Sequence, residues 1–413
     1  MCIVLRSWYV VELTPIINML DHIATKQQIN LMVRNQWSAQ RSSGNKLERA
    51  FQEARRWTVD WQHLTDKIAR SKPSWLTAEI VEPVTLQRAR PERPVEITVL
   101  ATDGSQLFPD RHEVAACYLI NIGTIVFHYG TGERPILSSI PTLFYTEEEL
   151  FLEWNGKRTP VNADMVGVHR GIMELETLAD LTKKVPVSTR KTVALSDGTL
   201  IDWTLEGKPD DFKNEMLRRT LASFDRFEKT KIPVAGYISS SNSADVVNAL
   251  RVGLCPEDPV PACESCPQRT YHPDTPPCTA IEGVYDRALF GRVLKNPGDR
   301  SVVFRSTSEI LKEYGRHRIF FFYVNVGFEI ARIEVPAWVA EDTEMLNLVH
   351  SVVCDQVDKG KGYPIILAEA HEKAVVRGGD RELFYQLLSE TYVRGGVRSE
   401  ISRKNISKRR LLI

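Results

Sequence analysis

Ile97-Thr98-Val99-Leu100-Ala101-Thr102-Asp103-Gly104-Ser105 reads as a buried β run that stops at an acidic turn, and Thr192-Val193-Ala194-Leu195-Ser196-Asp197-Gly198-Thr199 repeats the arrangement later in the chain. Asp-Gly is a common turn dipeptide, so either stretch alone is satisfied by a turn. Together they place two aspartates where apolar strands emerge at one edge of a sheet. In α/β sheets that edge is where ligands collect. The glycine after each aspartate lets the backbone turn while the carboxylate projects into the cleft.

Around these stretches the pattern is mixed. Val114–Ile122 and Thr124–Tyr129 are two apolar runs separated by Gly123, which predicts a hairpin. A helix is expected over 163–184, another over 211–229, a strand at 233–238 and a helix from Ser243. Arg318–Val324 and Phe328–Val335 read as a second hairpin, 342–358 as a helix, and Ala368-Glu369-Ala370-His371-Glu372 as a loop-to-helix segment. Hairpins followed by alternating helices and strands indicate an α/β fold with a mixed sheet flanked by helices. Upstream, Ile16, Ile17, Leu20, Leu31 and Met32 suggest one helix, and Leu47, Phe51, Trp57, Trp61 and Leu64 a second over about 46–69. Paired helices of this kind serve packing or dimerisation. The prolines of 82–95 suggest a linker. The expected organisation is an N-terminal helical region and linker (1–94), a core domain (95–390) containing a Cys-rich insertion (252–282), and a basic tail (391–413).

The chain has 413 residues, with 53 basic and 53 acidic side chains. Zero net charge argues against a uniformly basic nucleic-acid binder. By segment the charge is uneven: +5 over 1–95, −11 over 96–372 and +6 over 373–413. A hydrophobic fraction of 43% suffices for a sizeable core. No apolar run approaches the ~20 residues that cross a bilayer. The opening Met1-Cys2-Ile3-Val4-Leu5-Arg6 lacks the pattern of a signal peptide, and seven cysteines do not resemble a secreted disulfide framework. A soluble cytoplasmic chain is the expectation.

Two aspartates held close together repel, and one pKa rises unless a cation neutralises them. A divalent metal with oxygen ligands, Mg²⁺ or Mn²⁺, is the usual solution. Further ligands are available in Glu174 or Glu176, on the helix before the second Asp-Gly strand, and in His371. Each of these alone is as well explained by a structural or solvated role.

Taken in order, Asp103-Gly104-Ser105, Arg170-Gly171-Ile172-Met173-Glu174, Leu195-Ser196-Asp197-Gly198-Thr199-Leu200, Gly236-Tyr237-Ile238-Ser239 and Gly362-Tyr363-Pro364…Glu369-Ala370-His371-Glu372 resemble the NurA-type nucleases. The resemblance spans about 95–390. It implies an RNase H-like fold, Mn²⁺ or Mg²⁺ dependence, and digestion of DNA by a homodimer partnered with a hexameric HerA-type ATPase, in end resection or phage defence. Carried over by position, it implies that Asp103 and Asp197 are the central metal ligands. Glu174 becomes the helix carboxylate, with Glu176 as its alternate, and His371 a ligand or a proton donor to the leaving oxygen. Tyr237 is implied as a residue lining the site. A two-metal in-line displacement follows from such a ligand set. The chain departs from shorter family members in its N-terminal helices and its cysteine insertion.

In that insertion Cys255, Cys263, Cys266 and Cys278 are spaced Cys-x7-Cys-x2-Cys-x11-Cys. The Cys-x2-Cys core suits structural Zn²⁺, or an iron–sulfur cluster, with His272 as a substitute ligand. The alternative is four reduced thiols in a proline-stiffened loop. Arg394, Arg398, Arg403, Lys404, Lys408, Arg409 and Arg410 make the tail either a solvated end or a contact for DNA or the ATPase. Two other readings compete with the nuclease: a non-catalytic RNase H-like scaffold that docks the ATPase on DNA, and a phosphoesterase acting on small substrates. The second leaves the basic ends unexplained.

Overall fold

The computed structural model describes residues 21–108, 116–154, 156–185, 190–272 and 275–396, with the side chains of 35–43, Trp154 and Glu264 also outside the description. The apolar positions 16, 17 and 20 and the tail residues beyond 396 lie outside the described residues.

Among the described residues, an eleven-stranded mixed sheet forms the centre. Its principal strands are β1 (Ala78–Ile80), β2 (Ile97–Leu107), β3 (Tyr118–Tyr129), β4 (Ile136–Phe144), β5 (Lys191–Asp197), β6 (Val234–Ile238), β7 (Phe304–Ser306), β8 (Ile319–Asn325) and β9 (Ile330–Pro336). They lie side by side in the order β1-β7-β8-β9-β6-β5-β2-β3-β4. Strands β2, β3 and β4 form an antiparallel meander. Strand β5 then adds parallel to β2, and β6 parallel to β5. That succession is the RNase H-like arrangement the resemblance implies. The helices are α1 (His22–Val59), α2 (Trp61–Arg70), α3 (Ala163–Leu181), α4 (Asp210–Thr230), α5 (Asp245–Leu254), α6 (Thr343–Gly360), α7 (Ile365–Ala374) and α8 (Gly378–Arg394).

Strand β2 is buried from Ile97 to Gly104 because both its faces are covered. Leu100 meets Leu178 and Phe224 in a core under α3 and α4. Val99 and Ala101 point the other way, into a core with Val349 and Val353 of α6 and Ile366 and Ala370 of α7. This alternation follows from the two-residue period of a strand.

Four expectations change. Strand β2 does not end at Asp103: it runs on to Leu107, with Asp103 opposite Gly123 and Gly104 opposite Ile122. Gly123 is not a hairpin turn but lies inside the continuous strand β3. A Cβ there would sit 2.5 Å from the Ala370 carbonyl oxygen and the Ala374 nitrogen, so the glycine admits helix α7 against the sheet. His371 lies within that helix rather than in a loop-to-helix segment. The first helix continues through Gly44 to Val59 and breaks at Asp60, which has a non-helical φ of −115° and ψ of 44°; a single glycine weakens a helix by about 1 kcal/mol without stopping it.

The N-terminal helices share a core with the sheet. Ala50, Ala54 and Trp57 of α1 and Leu64 of α2 pack with Val246 and Leu250 of α5 and with Phe304 and Phe321. Residues from the expected linker also enter the sheet, Gln87 and Arg88 pairing with Ser301 and Arg300.

His350 on α6 is fully buried, with Nε2 2.7 Å from the Gly298 carbonyl oxygen. Burial pushes its pKa down to about 4. The unfolded chain therefore takes up a proton below pH ~6.5 that the folded chain refuses. The neutral ring's contribution is complete above pH ~6.5 and declines, by about 3 kcal/mol, as pH falls towards 4. Denaturation midpoints measured across that interval are expected to fall less steeply in His350→Gln than in the unaltered chain.

Candidate active site

Asp103, in the middle of β2, has a largely buried side chain (11% exposed) that meets Nδ1 of His371 at 2.8 Å. The His371 side chain is 62% exposed. Helix α7 is held in place at its C-terminal end, where the Ala374 carbonyl oxygen accepts from Ser105 Oγ at 2.5 Å and Asn121 Nδ2 at 2.8 Å.

Glu174 approaches from α3. Its backbone carbonyl accepts from Thr102 Oγ1 at 2.9 Å, and its Oε1 accepts from Arg170 at 2.7 Å. The same Arg170 nitrogen also donates to the Gly104 carbonyl oxygen at 2.8 Å. A Cβ at Gly104 would lie 2.5 Å from Glu174 Oε1 and 2.9 Å from Arg170 Cγ. Gly104 is thus needed for the close approach of a side chain, and its expected turn does not form. Burial lifts the Glu174 pKa to about 8; the Arg170 charge opposes the rise, and the negative charges of Asp103 and Asp197 add to it.

Asp197 closes β5 at the open edge. Gly198 follows with φ +90°, so here the expected turn is present. Shielding raises the Asp197 pKa and the Asp103 charge adds to it, while a hydrogen bond from Tyr363 lowers it. Behind the turn, Glu334 accepts from Thr199 Oγ1 at 2.7 Å and from the Leu200 backbone N–H at 2.9 Å. Buried Arg332 bridges Glu334 at 3.0 Å to Asp245 at 2.8 Å.

Asp103, Glu174, Asp197 and His371 therefore face one cleft from β2, α3, β5 and α7. Among the described residues, no three of them bring ligand atoms within 4.8 Å of one another. The donor set fits a hard divalent cation: carboxylate oxygens, one imidazole, and like charges close enough to raise two pKa values with one guanidinium to offset them. Glu176 points elsewhere, in a bidentate pair with Arg219 at 2.9 and 2.6 Å. Tyr237 is fully buried; its hydroxyl donates to Glu329 at 3.0 Å and its ring packs edge-on against Tyr363 at 5.5 Å. Arg170 and Tyr363 stand within the sequence motifs, but only the fold brings them to Glu174 and Asp197. Neither Glu334 nor Glu329 carried a signal, because each acts only through partners distant in the chain.

Cys263, Cys266 and Cys278 line one cavity of about 260 Å³ with Arg251 and Arg269, and the four cysteines of the insertion form no disulfide. No three of those four sulfurs come within 4.8 Å of one another, so the expectation of zinc or an iron–sulfur cluster there gains no support. His272 belongs to no such cluster either. Among the described residues the one set that does converge is Asp225, Glu228 and His317. There Arg316 pairs with Asp225 at 2.5 Å and Glu228 at 3.3 Å, so a guanidinium already supplies the cation.

The contact of α7 with the sheet is testable at Gly123. A methyl group there meets helix backbone rather than a yielding side chain, and Gly123→Ala is expected to cost about 1–3 kcal/mol in chemical denaturation. Lifting α7 also separates His371 from Asp103, which a shift of the His371 imidazole NMR signals records.

A match to the NurA domain model covers residues 97–376, more than half of the chain. None of the curated proteins compared matches the chain. Among solved structures, similarity is found to the crystal structure of the NurA nuclease from Sulfolobus solfataricus, with 12% identity, 75% of this chain and 88% of that chain covered, and a TM-score of 0.46. It is also found to a crystal structure of NurA with manganese (11% identity, 82% and 98% covered, TM-score 0.38) and to one of NurA bound to dAMP and manganese (11%, 70% and 86%, TM-score 0.33). On the extent of the domain match, the chain belongs to the NurA domain family.

Proposed function

We propose that this chain is a Mn²⁺- or Mg²⁺-dependent deoxyribonuclease that hydrolyses phosphodiester bonds at the Asp103–Glu174–Asp197–His371 cleft. The observation that carries the reading is the confinement of three carboxylates beside Arg170, with the Glu174 pKa raised to about 8. A scaffold that only binds a partner gains nothing from holding like charges in a shielded cleft, whereas a metal-dependent hydrolase requires it.

In this reading Asp103, Glu174 and Asp197 hold the metal, with His371 as a further ligand or as the proton donor. A divalent metal held there, or a pair of them, would supply activation of the attacking water and charge stabilisation for the departing oxygen. The protein's own residues do the rest. Tyr363 fixes the Asp197 carboxylate, Arg170 keeps Glu174 against Gly104, and the exposed His371 ring, oriented by Asp103, is placed to deliver a proton to the leaving oxygen. Phosphate contacts fall to basic residues around the rim and at the chain ends.

Partners belong to the same proposal: a homodimer feeding on DNA delivered by a HerA-type hexameric ATPase, in end resection or phage defence. Family membership supports it. Self-association is supported by β4, an edge strand of the sheet on which Ile136, Leu137, Ile140 and Leu143 are exposed. Unpaired apolar edge strands favour association. Ile140→Lys is expected to shift the chain towards monomer in light scattering, without a loss of helical content.

The decisive experiment is digestion of linear DNA with Mn²⁺. Asp103→Ala is expected to abolish it, and Tyr363→Phe to reduce the rate about 10–100-fold, as loss of a ligand-orienting partner does. Unchanged digestion by Asp103→Ala would overturn the assignment, and the absence of digestion by the unaltered protein would favour the scaffold.

A further inference from the structure

A cavity of about 490 Å³ shares no residue with the carboxylate cleft and lies where the N-terminal helices meet the cysteine insertion. Arg49 and Arg56 of α1 and Lys67 of α2 line one wall, and Gly253, Cys255 and Asp258 are on the other. Arg49 and Arg56 are seven residues apart, about two helical turns, so they share one face of α1. The two walls meet at a close approach: a Cβ at Gly253 would lie 2.4 Å from Nε1 of Trp57, which is buried in the core.

Charge in this cavity is unbalanced. Lys67 is only 5% exposed, yet its Nζ donates to a backbone carbonyl oxygen, that of Cys255, at 2.5 Å. Among the described residues it forms no ion pair, although a lysine is almost never buried without one. Burial accordingly holds its pKa below the usual lysine value. Asp258, a carboxylate whose charge reaches it, is drawn off by Arg70 at 3.0 Å. At the mouth, Arg49 and Arg56 lie 3.3 and 3.6 Å from the one Glu53 carboxylate, and both guanidiniums are more than half exposed. Burial pushes the Cys255 thiol pKa up, so no thiolate there offsets the cations. Three cations and one carboxylate line the cavity, a net charge of +2. Counting Glu53 and Arg70 as well adds one charge of each sign and leaves the net unchanged.

A phosphate monoester matches that excess, since it carries about −1.5 to −2 at pH 7 and offers three strong acceptor oxygens. A phosphodiester brings one charge and continues on both sides, whereas a monoester ends the molecule and enters a concave site end-on. We propose that this cavity binds a phosphate monoester, its oxygens on the Lys67 ammonium at the bottom and on the Arg49 and Arg56 guanidiniums at the mouth. A free mononucleotide and the 5′-phosphate end of a DNA strand both present this group. The site uses no residue of the metal cleft and does not depend on the nuclease reading.

The test is calorimetry of thymidine 5′-monophosphate in the presence of a chelator, with thymidine as the control. The unaltered protein is expected to bind the monophosphate and not thymidine. Lys67→Met, and Arg49→Gln combined with Arg56→Gln, are each expected to weaken binding tenfold or more. Thermal melting checks that the variants fold, and the exposed arginine pair keeps the test valid if Lys67→Met does not. Oligothymidylates bearing a 5′-phosphate or a 5′-hydroxyl then compete for the site. Displacement by the phosphorylated strand alone identifies a DNA end as the carrier; displacement by neither identifies the free nucleotide, and both outcomes support the site. Equal displacement by the two strands overturns the monoester reading. Absence of monophosphate binding, or a Kd within twofold of the unaltered protein in the arginine variant, overturns the site itself. No digestion enters these readouts, so failure here is distinct from failure of the nuclease reading.

Discussion

Two largely buried carboxylates, Asp103 and Glu174, with Asp197 at the open edge beside them and a single guanidinium among them, set the conditions that the surrounding fold has to meet. Coulomb repulsion strengthens as solvent is excluded, and Asp103, Glu174 and Asp197 have no short-range link that could relieve it by local rearrangement. Each sits on a different element, and those elements are clamped by burial on both faces of the sheet. Packing on the two faces acts as the restraint against charges that push apart. Arg170 is the partial counterweight, tied at once to Glu174 and to the backbone of β2.

Behind the cleft lies a second polar system. Arg332 is buried between Glu334 and Asp245 and lies over the Phe321 ring at 3.7 Å. Asp286 accepts from Val246 and Val247 at the start of α5 and from Tyr323. Here the hydrogen bonds are satisfied, but Arg332 is one guanidinium among three carboxylates, and burial with the Asp245 charge beside it raises the Asp286 pKa to about 7; removing one partner from a buried ion pair typically costs about 3–5 kcal/mol. Its gain is positional: through Glu334 it fixes the turn that follows Asp197.

The sequence was most legible where period and chemistry agreed. Strands β5, β6, β8 and β9 and helices α3, α4 and α6 lie close to where their patterns placed them, because each carries a clear apolar repeat. The Asp197-Gly198 turn was also legible, since only a positive φ was needed there. Gly104 and Gly123 misled for a shared reason. Glycine marks either a turn or a close approach, and only the position of α3 and α7 across the sheet separates the two. Glu174 and Glu176 could not be told apart by spacing; Arg219, on another helix, draws Glu176 away. The cysteine spacing promised a compact ion site, yet the arginine-lined cavity leaves the sulfurs apart.

One feature of the cleft reaches beyond chemistry. The Asp103–His371 contact joins residues 268 positions apart in the chain. Strands β3 to β9 all lie between β2 and α7 in the chain, so α7 docks only after those strands have been made. Until α7 docks, the imidazole that meets Asp103 is missing from the cleft. Completion of the cleft is thus coupled to completion of the sheet on which it rests.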